Sequence, residues 1–490
     1  MNKPVRHIAV FSGLLVLALL LQATWLQFAR GDELSESKWN RRVRIAAFAQ
    51  PRGNIIVGGH PITGSTETTG SDLKWKRTYT DGPLYAPVTG FFSQIYGGTQ
   101  LEAESVDGKW LSGSDDRLFL RRTADMLTGK KPRGGDVVTT IDPDAQKAAY
   151  QGLGKYKGAV VAIEPATGKI LAMASTPSYD PSVFAGSSGE DKKAWTALEG
   201  DKDKPMANRA LKERFPPGST FKILTAAAAL DHGIVSDIDA PSGAPAPYTL
   251  PGTRTQVRND IPSAPCDKAS LKVAMQWSCN NVFLDLAARL GKDRMRETAE
   301  KFGFNDAKVD TPVRAAKSVY PSDIDKAQTA LTGMGQGSLD ATPLQIAMMT
   351  AALANDGKLM KPSMVDSLRS PDLSTVEKHK PEVMDQAVSA DAARKVQQMM
   401  ENTAGEGTGK PALIDGLTVG AKTGTAQHGV DNKETPYAWF VSYAKNGEGK
   451  SVAVAVFIDP RGSDIARDDV HGGTLAGPIA KKVMESVLKK

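Results

Sequence analysis

Ser219 and Lys222 stand three positions apart in Ser219-Thr220-Phe221-Lys222. On a helix that spacing puts hydroxyl and amine on one face, where a neutral amine can take the proton of a serine nucleophile. Pro216, Pro217 and Gly218 disfavour helix before Ser219, and the alanine-rich run from Phe221 to Leu230 favours it until Gly233. Ser219 therefore belongs at or near a helix N-terminus. Ser-x-x-Lys is a weak signal by itself, because it occurs five times, at Ser35, Ser71, Ser219, Ser442 and Ser486. Only its company can single out Ser219.

Two other fragments supply that company. Ser278-Cys279-Asn280 follows 59 residues after Ser219, near a helical pattern, and Lys422-Thr423-Gly424-Thr425 comes 142 residues after Asn280, within a strand-like run. Taken singly, Ser278 and Asn280 fit helix caps or turns, and Lys422-Thr423-Gly424 fits the end of a surface strand. In the order Ser-x-x-Lys, Ser-x-Asn, Lys-Thr-Gly they resemble the penicilloyl-serine transferases, the family of penicillin-binding proteins and serine β-lactamases.

Further stretches carry the resemblance beyond the motifs. Gln50-Pro51-Arg52-Gly53-Asn54-Ile55, Arg77-Thr78-Tyr79-Thr80-Asp81-Gly82 and Ala86-Pro87-Val88-Thr89-Gly90 look like the N-terminal module of class B penicillin-binding proteins. Pro216-Pro217-Gly218, Gly335-Gln336-Gly337 and Ala341-Thr342-Pro343-Leu344-Gln345 are similar to parts of their transpeptidase domains. The likeness covers roughly residues 50 to 460 and is closest to the short actinobacterial penicillin-binding protein A group. Residues 184–204 and 360–385 carry little of it.

The resemblance implies attack on a D-alanyl peptide carbonyl. That reaction needs a nucleophile, a proton acceptor, a donor to the leaving amine and a cradle for the oxyanion. Ser219 is the expected nucleophile and Lys222 the base, its pKa lowered by burial and by a second cation, Lys422. Ser278 suits a proton relay between Lys222 and the leaving group. Asn280 can fix the Lys222 amine or hold a substrate amide. The run Thr423-Gly424-Thr425 is expected to be an edge strand that pairs with substrate backbone, with Gly424 leaving room for the approach. The hydroxyls of Thr423 and Thr425 suit a substrate carboxylate beside Lys422. The resemblance places the oxyanion hole at the backbone N–H groups of Ser219 and Thr425. No cofactor is called for.

Cys279 departs from the pattern, since many relatives carry another small or polar residue there. A buried inert thiol is preferred to a reactive one, and a Cys266–Cys279 disulfide is the third reading. The separation of 13 residues permits a bridge without establishing it. The six histidines are widely scattered and, with two cysteines, make no recognisable metal-ligand spacing. His428 and His471 are read as loop or rim residues.

The elements that must position these groups follow from pattern. An apolar segment from Ile8 to Phe28 follows Lys3, Arg6 and His7 and is long enough to cross about 30 Å of hydrocarbon. Positive charge before it predicts a cytoplasmic N-terminus and an exported remainder. The segment is longer than the usual apolar core of a cleaved signal peptide, so an uncleaved anchor is expected. We divide the chain into 1–31 as cytoplasmic tip and transmembrane anchor, 32–150 as an N-terminal pedestal or dimerisation-type module, and 151–490 as the penicillin-binding domain. The module is rich in turn residues between short extended pieces and is expected to be irregular and mostly β.

Beyond it, Pro143 suits the first position of a helix through Leu153, and a hairpin is expected within Gly158–Ser175. Helical patterns fill 223–354, including Leu271 to Leu290 and Arg294 to Phe302. Three strands, Gly416 to Ala426, Ala438 to Ala444 and Ser451 to Ile458, precede a terminal helix from about Leu475 to Leu488. Strands at both ends with helices between describe an α+β fold, an antiparallel sheet flanked by helices plus an all-helical subdomain. Loops 184–204, 240–265 and 425–437 are polar or Gly/Pro-rich, and some of them are expected to border the site.

Lys and Arg number 61 against 55 Asp and Glu, a net charge of +6 with the signs interspersed, so there is no nucleic-acid footprint. The expected function is a membrane-anchored D,D-transpeptidase that cross-links peptidoglycan stem peptides and is acylated by β-lactams. Cell-wall synthesis or divisome proteins, such as a glycosyltransferase, are its expected partners. D,D-carboxypeptidase, β-lactamase and a non-catalytic β-lactam sensor or scaffold are the alternatives.

Overall fold

The early hairpin and the three late strands meet in one antiparallel sheet. In this computed structural model, which describes residues 3–31, 34, 41–69, 71–103, 106–118, 133–429 and 432–489, five strands are numbered in chain order. They are β1 (Lys157–Ile163), β2 (Ile170–Thr176), β3 (Thr418–Ala426), β4 (Tyr437–Lys445) and β5 (Ser451–Asp459). They pair in the order β3-β4-β5-β1-β2, antiparallel throughout. The strand that carries Lys422 is thereby an edge.

Both faces of the sheet are covered, and this explains why its strands read as nearly continuous apolar runs. Val160, Ala162, Val454 and Val456 face one core, and Ala159, Val161, Ala453 and Ala455 face the other. The first core is closed by α1 (Pro143–Leu153) and by a C-terminal helix, Gly477–Leu488. Asp142 caps α1 by accepting from the N–H groups of Asp144 and Ala145, with Pro143 at its first turn as expected.

The second core is shared with the helical part of the chain. There α2 (Lys222–Asp231) carries the alanine run, followed by α3 (Leu271–Trp277), α4 (Asn280–Lys301), α5 (Pro343–Ala354) and α6 (Ala390–Glu406). The patterns expected over Leu271–Leu290 and Arg294–Phe302 are divided differently. The helix breaks at Ser278-Cys279, and α4 runs through the second pattern across a non-helical Gly291.

The N-terminal module is built from strands of two to five residues with short helices at Arg41–Ala47, Gly82–Thr89 and Val106–Ser112. Its centre is a buried carboxylate, Glu102, held by Arg77 Nε at 2.6 Å and Arg52 Nε at 3.2 Å. Ile55–Val57 of this module pairs in parallel with Asp136–Thr139, which in turn pairs with Val365–Arg369. Module and catalytic part thus share a sheet. The expected boundary at 150/151 falls inside α1, which packs on β2 and the C-terminal helix. Residues 119–132 and most of 32–40, including Ser35, lie outside the described residues.

Of the three loops of which some are expected to border the site, segment 184–204 packs elsewhere. Its helix Gly189–Glu199 presents Trp195 to Tyr96 and Phe91 of the module, with ring centroids 4.0 and 5.4 Å apart. Near the chain start, the helix Lys3–Ala29 contains an 18-residue stretch of mean hydropathy 2.1 and has no buried residue. Its 27 residues span about 40 Å, enough to cross a bilayer.

Candidate active site

Ser219 lies in a 3₁₀ turn, Gly218–Phe221, that runs directly into α2. Three neighbours hold the turn. Trp439 Nε1 on β4 donates to Pro216 O at 3.0 Å, Thr220 Oγ1 donates to Pro217 O at 2.8 Å, and Gly218 N donates to Gly335 O at 2.9 Å. Gly335 has φ +76°, and a Cβ on it would lie 1.9 Å from Gly218 O, so only glycine allows this contact. The Gly335-Gln336-Gly337 segment is therefore a brace behind Ser219.

One turn on, Lys222 is fully buried. Its Nζ lies 2.7 Å from Ser278 O, 2.7 Å from Asn280 Oδ1 and 3.2 Å from Ser278 Oγ. Burial pushes its pKa down to about 7, with the Asp260 carboxylate acting in the opposite direction. A neutral amine donates to the two acceptor-only oxygens and keeps its lone pair for a proton from Ser219 or Ser278. Lys422 is equally buried, with Nζ 2.7 Å from Ser278 Oγ and 2.8 Å from Thr423 O. Burial holds its pKa well below the usual lysine range, and the charge of Lys222 adds to that. The expected cause is thus reordered: desolvation dominates for Lys222, and the lysine–lysine repulsion falls on Lys422.

Ser278 occupies a left-handed backbone conformation, φ 59° and ψ 39°, uncommon for a residue with a Cβ. This kink between α3 and α4 lets its carbonyl and its hydroxyl both meet Lys222. The next residue is tied down. Cys279 forms a disulfide with Cys266, Cα–Cα 5.5 Å, so the preferred reading of an inert free thiol is corrected. The bridge fastens α4 to the loop before α3.

That loop carries residues the sequence reading did not single out. Asn259 Oδ1 accepts from the N–H of Asn280 at 2.6 Å, and Asn280 Nδ2 donates to Arg258 O at 2.9 Å and Asp260 Oδ1 at 3.3 Å. Asn281 Nδ2 donates to Ala244 O and Cys266 O at 2.9 and 2.8 Å. Asn280 is oriented by these bonds so that its Oδ1 faces Lys222. The only sequence signal was the polar, Gly/Pro-rich character of 240–265.

On β3, Lys422, Gly424 and Ala426 alternate with Thr423 and Thr425. A Cβ at Gly424 would lie 2.9 Å from Thr220 Cγ2 and 3.0 Å from Trp439 Cβ. The glycine thus lets the edge strand close on the nucleophile's turn, whereas the expectation was room for substrate. Thr423 Oγ1 is 2.9 Å from Thr408 Oγ1, while Thr425 lines the open cleft.

The cleft has a volume of about 770 Å³, and Ser219, Asn280, Thr425, Gln336 and Asp260 line it. His428 stands on its wall with its ring stacked 3.8 Å from Tyr437 and Nε2 2.7 Å from Thr435 O, a wall residue as expected. Burial lowers its pKa. The other described Ser-x-x-Lys strings have no such setting: Ser71 Oγ accepts from Leu73 N at 3.1 Å, Ser442 Oγ meets Met484 Sδ at 3.4 Å, and Ser486 Oγ donates to Val483 O.

A serine at a helix start, a buried lysine pair around a second serine, and an edge strand closing over them make a serine–lysine acyl-transfer site. The chain belongs to the penicillin-binding transpeptidase family. Residues 158–485 match the penicillin binding protein transpeptidase domain, and residues 52–137 match the penicillin binding protein A dimerisation domain. Among its relatives is the peptidoglycan D,D-transpeptidase PbpA of Mycolicibacterium smegmatis, 38% identical over the full length of both chains. PbpA of Mycobacterium tuberculosis is 40% identical over all of this chain and 99% of the relative. The ceftriaxone acyl-enzyme complex of penicillin-binding protein A from M. tuberculosis superposes with TM-score 0.84 at 39% identity, covering 91% of this chain and 100% of that one.

Proposed function

We propose that this chain is a peptidoglycan D,D-transpeptidase, held at the membrane by Lys3–Ala29 with the bulk of the chain extracytoplasmic. The observation that carries the chemistry is the Lys222–Ser278–Lys422 array next to Ser219. Lys222, whose pKa of about 7 keeps a large neutral fraction near neutral pH, takes the proton of Ser219 Oγ as that oxygen attacks the penultimate D-alanyl carbonyl of a stem peptide. The N–H groups of Ser219 and Thr425 receive the oxyanion. Ser278 then passes a proton to the departing D-alanine amine and is reprotonated from the lysine pair. Collapse leaves an acyl group on Ser219, which a second stem peptide's amine accepts.

Support for this reading comes from the family membership and from the PbpA relatives, named as D,D-transpeptidases. The acyl-enzyme complexes of their solved counterparts point the same way. Residues 1–31, 32–150 and 151–490 act in this reading as anchor, pedestal and catalytic unit, with cell-wall synthesis proteins such as a glycosyltransferase as partners. The test is incubation of the exported part with labelled penicillin. A long-lived adduct on Ser219, absent in Ser219→Ala, is expected. Rapid turnover indicates a lactamase, and no adduct indicates a scaffold.

A further inference from the structure

Transpeptidase and carboxypeptidase share the acylation step and differ in what removes the acyl group, and one wall of the cleft bears on that choice. Asp260 lines the same cleft as Ser219 and is solvent-exposed. Its Oδ1 takes a single hydrogen bond, at 3.3 Å from Asn280 Nδ2, and no ion pair among the described residues. Asn280 Oδ1 in turn lies 2.7 Å from Lys222 Nζ. A carboxylate open to the substrate space is thus joined to the base by one amide side chain.

No cation on the described lining pairs with it. Arg467 is the one arginine or lysine among the described lining residues, and its guanidinium donates to Gln427 Oε1 at 2.7 Å and to the carbonyls of Asn432, Lys433 and Glu434. Asp340 and Asp468 add negative charge to the walls. The chemistry of the second half-reaction supplies what such a charge would hold. The acceptor is a primary amine on another stem peptide, which near neutral pH arrives as an ammonium ion.

We infer that Asp260 is the acceptor-selecting residue of this enzyme: its carboxylate binds the ammonium group of the incoming stem peptide and places it beside the Ser219 acyl carbonyl, favouring aminolysis over hydrolysis. The inference rests on the transpeptidase reading above. In the step, the acceptor N–C bond forms and the Ser219 Oγ–C bond breaks. Of the two protons that the ammonium loses, one returns to Ser219 Oγ by way of Lys222, and the other passes to solvent. Asn280 keeps Asp260 and Lys222 in register, so the amine is deprotonated where it attacks.

The test measures partition of the acyl-enzyme, a ratio independent of the acylation rate and of the folded fraction. The full-length protein in detergent is acylated with a depsipeptide donor in the presence of either a stem-peptide amine or hydroxylamine, a nucleophile that is uncharged near neutral pH. For Asp260→Asn, the ratio of amide product to hydrolysed product should fall at least tenfold with the stem-peptide amine and stay within twofold of wild type with hydroxylamine. Asp260→Glu should recover part of the lost ratio. An unchanged ratio with the stem-peptide amine overturns the inference, and so does an equal fall with both nucleophiles. Failure of the wild-type protein to form any adduct on Ser219 would instead overturn the transpeptidase reading itself.

Discussion

Lys422 Nζ lies 2.7 Å from the hydroxyl oxygen of Ser278, although 144 residues separate them in the chain. Lys222 Nζ approaches the same oxygen from α2 at 3.2 Å. Ser278 thus places its hydroxyl between the two lysines, and in the proposed mechanism they exchange a proton through it. Replacing it with alanine should leave Ser219 in place and remove the relay. Acylation by penicillin is expected to slow about 10²- to 10⁴-fold, the range for loss of a positioned proton-transfer group. Rapid-mixing kinetics check this, and a rate within threefold of wild type would remove Ser278 from the mechanism.

The pH profile follows from Lys222, whose burial lowers its pKa to about 7. The working form is the neutral amine. Acylation should therefore be level above that pH and fall about tenfold per unit below it, as protonation removes the base. Because the Asp260 carboxylate raises the proton affinity of Lys222, Asp260→Asn should shift the falling limb toward lower pH. A limb that stays put or moves upward contradicts the assignment of Lys222 as the titrating base.

The disulfide closes a loop across 13 positions that includes α3 and Ser278. Replacing both cysteines with serine should cost about 3 kcal/mol, as expected for a loop of this size. Acylation should slow as well, because the bridge fastens α4 to the segment whose Asn259 and Asp260 orient Asn280. Urea denaturation of wild-type and double-serine proteins under non-reducing conditions measures the first effect. Mass spectrometry of the unreduced protein checks the bridge directly, since two free thiols would rule it out.

Gly424→Ala places a methyl group 2.9 Å from Thr220 Cγ2 and 3.0 Å from Trp439 Cβ. The edge strand must move away from the nucleophile's turn, at a cost of about 1–3 kcal/mol for overpacking. Reduced acylation together with lower thermal stability is expected. Wild-type behaviour in both measurements would show that the close approach is dispensable.

Glu102→Gln tests the N-terminal module. Arg77 and Arg52 both contact this carboxylate inside the module, and burial already lowers the pKa of Arg52 to about 10. Removing this buried negative charge leaves two buried guanidinium groups without their ionic partner, which should cost about 3–5 kcal/mol. Calorimetry should show a lower Tm, and an unchanged transition would mean that water or backbone takes over the pairing.

Much of this was legible in the chain itself. Local sequence was enough to place Ser219 and Lys222 together at one helix start, because that start and its face follow from Pro216-Pro217-Gly218 and the alanine run. It also determined the strands, since β3, β4 and β5 have strong apolar patterns, and the apolar N-terminal helix, which needs only length and composition. Local periodicity is enough for features of this kind.

How distant segments meet was settled by folding. Ser278 reads as part of a continuous helical pattern, yet packing against Lys222 and Lys422 stabilises a left-handed break there. Gly424 is consistent with substrate approach until Thr220 and Trp439 are seen against it, and Cys279 reads as a free thiol until folding brings it to Cys266. Asp260 carries no motif at all, because its significance comes from one hydrogen bond to Asn280 and from the cleft it shares with Ser219. Contacts across tens to hundreds of residues leave no periodic trace in the chain, so these relationships exist only once the sheet and the helices have closed on one another.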